Sequence, residues 1–130
     1  MKIICGSEQI PEIKELAKKL FLGIHKYSGE PMIRGNRLLN IFAITMGYRS
    51  YSDLTMRSKG HKPKSEKFDF TGDQLQEICR KISGHLGYIT PFEIWGIYAV
   101  SREVPKLINL TDQEFRREVC LALDPILSDL

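Results

Sequence analysis

No apolar run in this sequence approaches the roughly 18 residues needed to cross a bilayer; runs such as Ile41 to Ile44 are a fraction of that. The opening stretch MKIICGSEQIPEIKE is too short and too acidic to read as a secretory signal, so no export route is expected. Cysteine is scarce. Cys5, Cys79 and Cys120 are odd in number, lie far apart and form no CxxC pair, which excludes a secreted disulfide scaffold and points to a reducing cytoplasm. Cys79 and Cys120 stand among apolar residues and are expected in the core as small hydrophobes.

The marks of several common chemistries are missing as well. Neither GxxxxGK(S/T) nor GxGxxG occurs, so no glycine loop is present to cradle a phosphate, and no GxSxG elbow presents a nucleophile. His25, His61 and His85 are isolated, while Cys79 and His85, six apart on a helix, point in different directions. No metal, cofactor or catalytic residue is therefore expected, and the chain reads as a binding protein rather than an enzyme.

What is present is a globular composition: 130 residues, 42% hydrophobic and 27% charged, enough to bury one core and too few for two. A single domain over residues 1–130 is predicted. Its apolar spacing is helical nearly throughout. Ile13, Leu16, Ala17, Leu20, Phe21 and Ile24 recur at three and four, opposite Glu12, Lys14, Glu15, Lys18 and Lys19, which predicts a helix from near Ile10 to the cluster Ser28-Gly29-Glu30-Pro31. A second helix, roughly Asn36 to Met46, places Leu38, Ile41, Phe42 and Thr45 on one face and stops at Gly47. Three further starts carry a capping box: Thr71 with Gln74, Thr90 with Glu93, Thr111 with Glu114. Ser50 with Asp53 is a weaker fourth.

From these starts, one helix runs to about His85 with Leu75, Ile78, Cys79, Ile82 and Leu86 inward. The next, Pro91 to Ser101, is apolar nearly all round and belongs in the middle, with Gly96 either marking close approach by a neighbour or simply tolerated there. The last buries Phe115, Val119 and either Leu121 or Leu123 before Pro125 stops it. The opening KIIC is either a short strand or an extended segment on the core. The predicted fold class is all-α: a single compact domain of about six helices with a helix-turn-helix-like corner near residues 36–59.

That corner coincides with the one uneven feature of the charge. Between Arg34 and Lys67 there are eight basic residues against two acidic, a local +6, whereas the rest of the chain holds eleven basic and fourteen acidic, or −3. A helix ending at Gly47, a short turn through Tyr48, Arg49 and Ser50, and a new helix are the layout that can present a second helix to a groove. The usual buried aliphatic six after the turn glycine is replaced by Asp53, with Leu54 one later, so a longer turn is expected. Tyr48 and Tyr51 have two readings, stacking on bases or packing in the core, the second being commoner beside a helix corner. Ser52, Thr55, Arg57, Ser58 and Lys59 are the polar residues of the second helix, and a basic, mobile surface loop, Lys59 to Asp69, follows. The candidate contacts to phosphates are Arg34, Arg37, Arg49, Ser52, Arg57, Lys59, Lys62 and Lys64.

Three pieces of the first half, LAKKL (Leu16 to Leu20), RLLNIFA (Arg37 to Ala43) and GYRSYSDL (Gly47 to Leu54), carry a resemblance. Over residues 13–58 the chain resembles a helical module of plasmid- and phage-encoded proteins, sometimes attached to glyoxalase-superfamily chains. The resemblance implies a mobile-element context and brings no catalytic residue with it. Two functions are expected on these grounds. The first is a nucleic-acid-binding or regulatory protein that meets phosphates through the basic corner. The alternative is a protein-interaction module, or stoichiometric inhibitor of a nucleic-acid machine, whose basic face docks on an acidic protein.

Overall fold

Helices begin where the sequence supplies a side chain for the unpaired N–H groups of a first turn. In the computed structural model, which describes residues 3, 5–59, 70–104 and 106–128 and side chains as far as Asp124, six α-helices and no strand are found among those residues. They are α1 (Ile10–Ser28), α2 (Gly35–Thr45), α3 (Tyr51–Ser58), α4 (Gly72–Leu86), α5 (Pro91–Glu103) and α6 (Asp112–Ser128), with single 3-10 turns at Ser7–Gln9 and Leu107–Asn109. The threonine caps act as their spacing predicts. The Thr71 and Thr90 hydroxyls each accept the N–H three residues on at 3.2 Å, and Gln74 and Glu93 reach back to the cap N–H at 3.0 and 3.1 Å. Thr111 likewise accepts the Glu114 N–H at 3.1 Å. Each such cap stabilises its helix by about 1 kcal/mol.

The fold is all-α, and one cluster of buried side chains draws on every helix. The apolar α5 lies in the middle, packed on α4, α6 and α1. Two glycines let it be approached closely. A Cβ on Gly96 would stand 2.7 Å from Leu123 Cδ2, so α6 sits directly on this point of α5. On the other side, a Cβ on Gly23 of α1 would stand 2.7 Å from Ile97 Cγ2 and 2.9 Å from Ser101 Oγ. Ser101 is buried there, and its hydroxyl has no hydrogen-bond partner among the described residues.

Lysines of α1 tie it to the connection between α5 and α6. Lys19 Nζ donates to the Val104 carbonyl at 2.7 Å, and the buried Lys26 Nζ donates to the Leu110 carbonyl at 2.6 Å and lies 3.6 Å from Asp112 Oδ1. Val104 is extended, as the residue before a proline tends to be, and α5 ends just ahead of it.

Several details correct the sequence reading. Of the two readings of KIIC, the described residues Ile3 and Cys5 fit the extended one: neither is in a strand, both are buried, and Ile3 donates its N–H to the Met46 carbonyl at 2.9 Å. On α6, Phe115, Val119 and Leu123 are buried at four-residue spacing, whereas Leu121 is 57% exposed. Cys120, expected in the core, is exposed, because it lies next to Val119 and so turns about 100° away from the buried stripe. Cys79 is buried, and burial pushes its thiol up to about 12. Pro125 does not stop α6, which continues to Ser128. Only one intrahelical bond is lost there, that to the carbonyl of the exposed Leu121, which water can serve. No described helix is long and apolar enough to cross a membrane.

Candidate nucleic-acid interface

The corner between α2 and α3 is built by local chemistry that the sequence dictates. Gly47 adopts φ +101°, a region open to glycine at little cost, and turns the chain out of α2. Its N–H donates to the Ile44 carbonyl at 3.0 Å and that of Tyr48 to the Ala43 carbonyl at 3.1 Å, the paired bonds of a Schellman close. Ala43, Met46 and Tyr48 are all buried, which anchors the turn from beneath. Ser50 then caps α3, accepting the Asp53 N–H at 3.1 Å, and Asn40 Oδ1 in the middle of α2 accepts the Tyr51 N–H at 2.9 Å. The connection thus absorbs the one-residue displacement, leaving Leu54 buried and Asp53 at the surface.

Asp53 is the organising group of this turn. Its Oδ2 accepts the Arg49 backbone N–H at 3.0 Å, one residue earlier than a capping box would reach, and its Oδ1 accepts Arg57 Nε at 2.8 Å. Arg49 and Arg57 are therefore brought to one carboxylate. Ser52 and Lys59, seven apart on or just beyond α3, lie along one exposed stripe together with Met56, which is 70% exposed. Arg34 and Arg37 sit at the other end of α2, both exposed, in a first turn with no acidic residue and no side-chain cap. With a rise of 1.5 Å per residue, the two ends of α2 lie about 15 Å apart, so the basic residues, taken in chain order as a row, are spread over about that length and not gathered at a point. Across residues 34–59 there are five basic residues against one acidic, Asp53. Of these, Arg57 is held in an ion pair, while Arg34, Arg37, Arg49 and Lys59 have no ion pair among the described residues.

Other candidates fall elsewhere. Lys62 and Lys64, and residues 60–69 of the basic loop with them, lie outside the described residues. Ser58 does not face outward; it is 1% exposed, and its hydroxyl donates to the Thr55 carbonyl at 2.8 Å. Tyr48 is a core residue whose hydroxyl donates to the Ile3 carbonyl at 2.9 Å, so its ring offers no free face for a base, and Tyr51 is half-buried against the core. Burial raises the Tyr48 phenol above its ordinary range, with the neighbouring Cys5 and Asp53 adding to the effect.

Sequence reasoning missed groups that the packing of α2 on α4 brings alongside this row. A cleft of about 290 Å³ between them is lined by Ile44, Lys81, Gly84 and His85, and Lys81 is partly engaged with Glu77 at 3.6 Å. At the opposite end of α2, Arg37 lies within electrostatic reach of Tyr88, a tyrosine 41% exposed in the turn after α4. Those residues stand some forty positions or more from Arg37 along the chain, and no local pattern announces them. Among the described residues no group of three or more His, Cys, Asp or Glu is placed to hold a metal ion. Comparison with family models, with curated proteins and with solved structures gives no match to this chain.

Proposed function

We propose that this protein binds nucleic acid through the sugar–phosphate backbone, using the exposed row Arg34, Arg37, Arg49, Arg57 and Lys59 with the Ser52 hydroxyl beside it, in a regulatory role for a mobile genetic element. The observation that carries this reading is the row itself. Arg49, Arg57 and Lys59 lie at the surface of a corner whose buried side is pinned by Tyr48, Leu54 and the Asn40 bond to Tyr51, Arg34 and Arg37 are exposed at the far end of α2, and among the described residues Arg57 alone of the five is held in an ion pair. The pinned backbone of the corner carries these side chains, so binding has to order the side chains and not the turn beneath them.

The geometry favours phosphate contact over reading of base edges. A helix-turn-helix would place α3 in a groove, yet this eight-residue helix exposes only Ser52, Met56 and Arg57, and Arg57 is held by Asp53. The test is binding to random duplex and single strands at low salt. Arg57→Glu with Lys59→Glu is expected to weaken affinity for both; unchanged affinity, or none in the parent protein, refutes the reading.

Met56 supports a second reading. An apolar side chain 70% exposed amid cations suits a protein partner with an acidic surface, as for a stoichiometric inhibitor of a nucleic-acid machine. Capture from nuclease-treated lysate separates the two: a retained protein, lost on Met56→Glu, favours this second reading, and loss of every partner with nuclease favours the first.

A further inference from the structure

The aromatic that the basic row needs for recognising an unpaired base is supplied from another part of the chain. Tyr88 is 41% exposed and lies within electrostatic reach of both Arg37 and Glu30. It stands at a cleft of about 380 Å³ formed where the end of α1, the turn after α4, the start of α5 and the middle of α6 meet. Tyr27, Glu30, Glu93, Arg116 and Cys120 also line it. The volume is in the range of small-molecule sites, and the lining mixes aromatic rings with a few polar groups.

These groups are held in defined states. Tyr27 and Glu93 face one another across the cleft, and Glu93 is held by the Thr90 N–H at 3.1 Å and the Thr90 hydroxyl at 2.8 Å, so the acid that caps α5 also fixes one wall. Arg116 Nε points to the Lys26 carbonyl at 3.4 Å, which orients the guanidinium from behind, and no ion pair engages its remaining N–H groups among the described residues. The cleft is thus lined by the Glu30 and Glu93 carboxylates, the Arg116 guanidinium and the side chains of Tyr27 and Tyr88. That combination suits a flat heterocycle with N–H donors and ring or carbonyl acceptors on its edge, which describes a nucleobase.

We infer that the cleft beside Tyr88 receives one unpaired nucleobase, so that the partner of the basic row is a single-stranded nucleic acid whose phosphates lie on Arg34 and Arg37 while a base stacks on Tyr88. This rests on the nucleic-acid reading for the polymer but not for the base. A free nucleotide presents the same chemistry, and separate arms distinguish the two sources.

In the first arm, binding is measured for a short mixed-sequence DNA strand, the same strand without bases, and the corresponding duplex. The base-bearing strand is expected to bind tightest. Tyr88→Ala lowers its affinity by about tenfold, as base–aromatic stacking dictates, and leaves the abasic strand and the duplex unchanged. Tyr88→Phe, which keeps the ring, retains the affinity. In the second arm, the exposed thiol of Cys120 reports on the cleft directly: a nucleoside monophosphate slows its reaction with a thiol reagent, and ribose phosphate does not. A duplex bound more tightly than the strand, or strand affinity indifferent to Tyr88→Ala, overturns the strand assignment. Absence of protection at Cys120 overturns the base pocket. If the charge reversals at Arg57 and Lys59 leave strand binding untouched while protection persists, the corner reading fails and the pocket stands for a free nucleotide.

Discussion

Asp53 and Arg57 form an ion pair of 2.8 Å across one turn of α3, and the same carboxylate holds the Arg49 N–H at 3.0 Å. One acid thus steadies the turn and offsets one of the cations beside it. Replacing it separates these effects. Asp53→Asn keeps an acceptor for Arg49 but leaves the Arg57 guanidinium uncompensated. Tighter binding to nucleic acid is expected, because Arg57 no longer divides its charge between a phosphate and a carboxylate. The stability loss is small, about 0.5 kcal/mol, as for exposed pairs four apart. Anisotropy titrations and urea denaturation check the two halves.

The two glycines at the centre of the bundle differ in what stands against them. At Gly23 a Cβ meets Ile97, Ser101 and Phe115 at once, with Phe115 Cζ at 3.0 Å, whereas at Gly96 the three nearest atoms all belong to one side chain, Leu123. Overpacking at Gly23 forces two helices apart, so Gly23→Ala should destabilise by about 1–3 kcal/mol even though alanine favours the helix. Gly96→Ala should cost less, because the Leu123 side chain can turn aside. Urea denaturation of both variants measures the difference.

Alkaline pH should weaken the fold through two buried protons. Burial lifts the Cys79 thiol from its ordinary 9 to about 12, and burial together with the Glu93 hydrogen bond lifts the Tyr27 phenol from 10 to about 12. Both groups keep their proton in the folded state while the unfolded chain releases it. Their contribution is therefore complete below the ordinary values and lost as the pH rises toward 12. Melting temperature should fall over that window, less steeply in Cys79→Ala and in Tyr27→Phe. Glu93 acts at the other end. Burial alone would raise its carboxyl, but hydrogen bonds from Thr90 and Tyr27 outweigh that and hold it below the ordinary range, so its contribution is lost as pH falls through the lowered value.

Thiol reactivity should sort the cysteines. Cys120 is exposed, and Cys5 and Cys79 are buried, so the native protein should show one prompt thiol, removed by Cys120→Ser, with the other two appearing only on unfolding. A second prompt thiol in the folded protein would contradict the packing of α4 or of the opening segment.

How far the molecule was legible depended on the range of the interaction. The threonine caps and Gly47 are four-residue signals, and the structure places them where the spacing says. Gly96 was readable because it interrupts an otherwise apolar helix. Gly23 was not singled out, although it continues the spacing of Leu16 and Leu20 toward the core. The choice between Leu121 and Leu123, and the position of Cys120, follow from four-residue arithmetic starting at Phe115 and Val119, which outweighs local hydrophobicity. The exposed basic residues of the corner were visible as composition, but the Asp53 pairing depended on how far the turn carried the carboxylate back toward Arg49. The cleft at Tyr88 was invisible, because Tyr27, Tyr88, Glu93 and Arg116 meet only through the packing of helices distant in sequence.

The most direct test of the basic row is the salt dependence of single-strand binding, compared with a variant in which Arg34, Arg37, Arg49 and Lys59 are glutamine. With five phosphate contacts the log–log slope should be about −3.5, falling to about −0.7 when the four free cations are neutralised and only Arg57 remains. Equal slopes in the two proteins, or affinity independent of salt, would contradict the account.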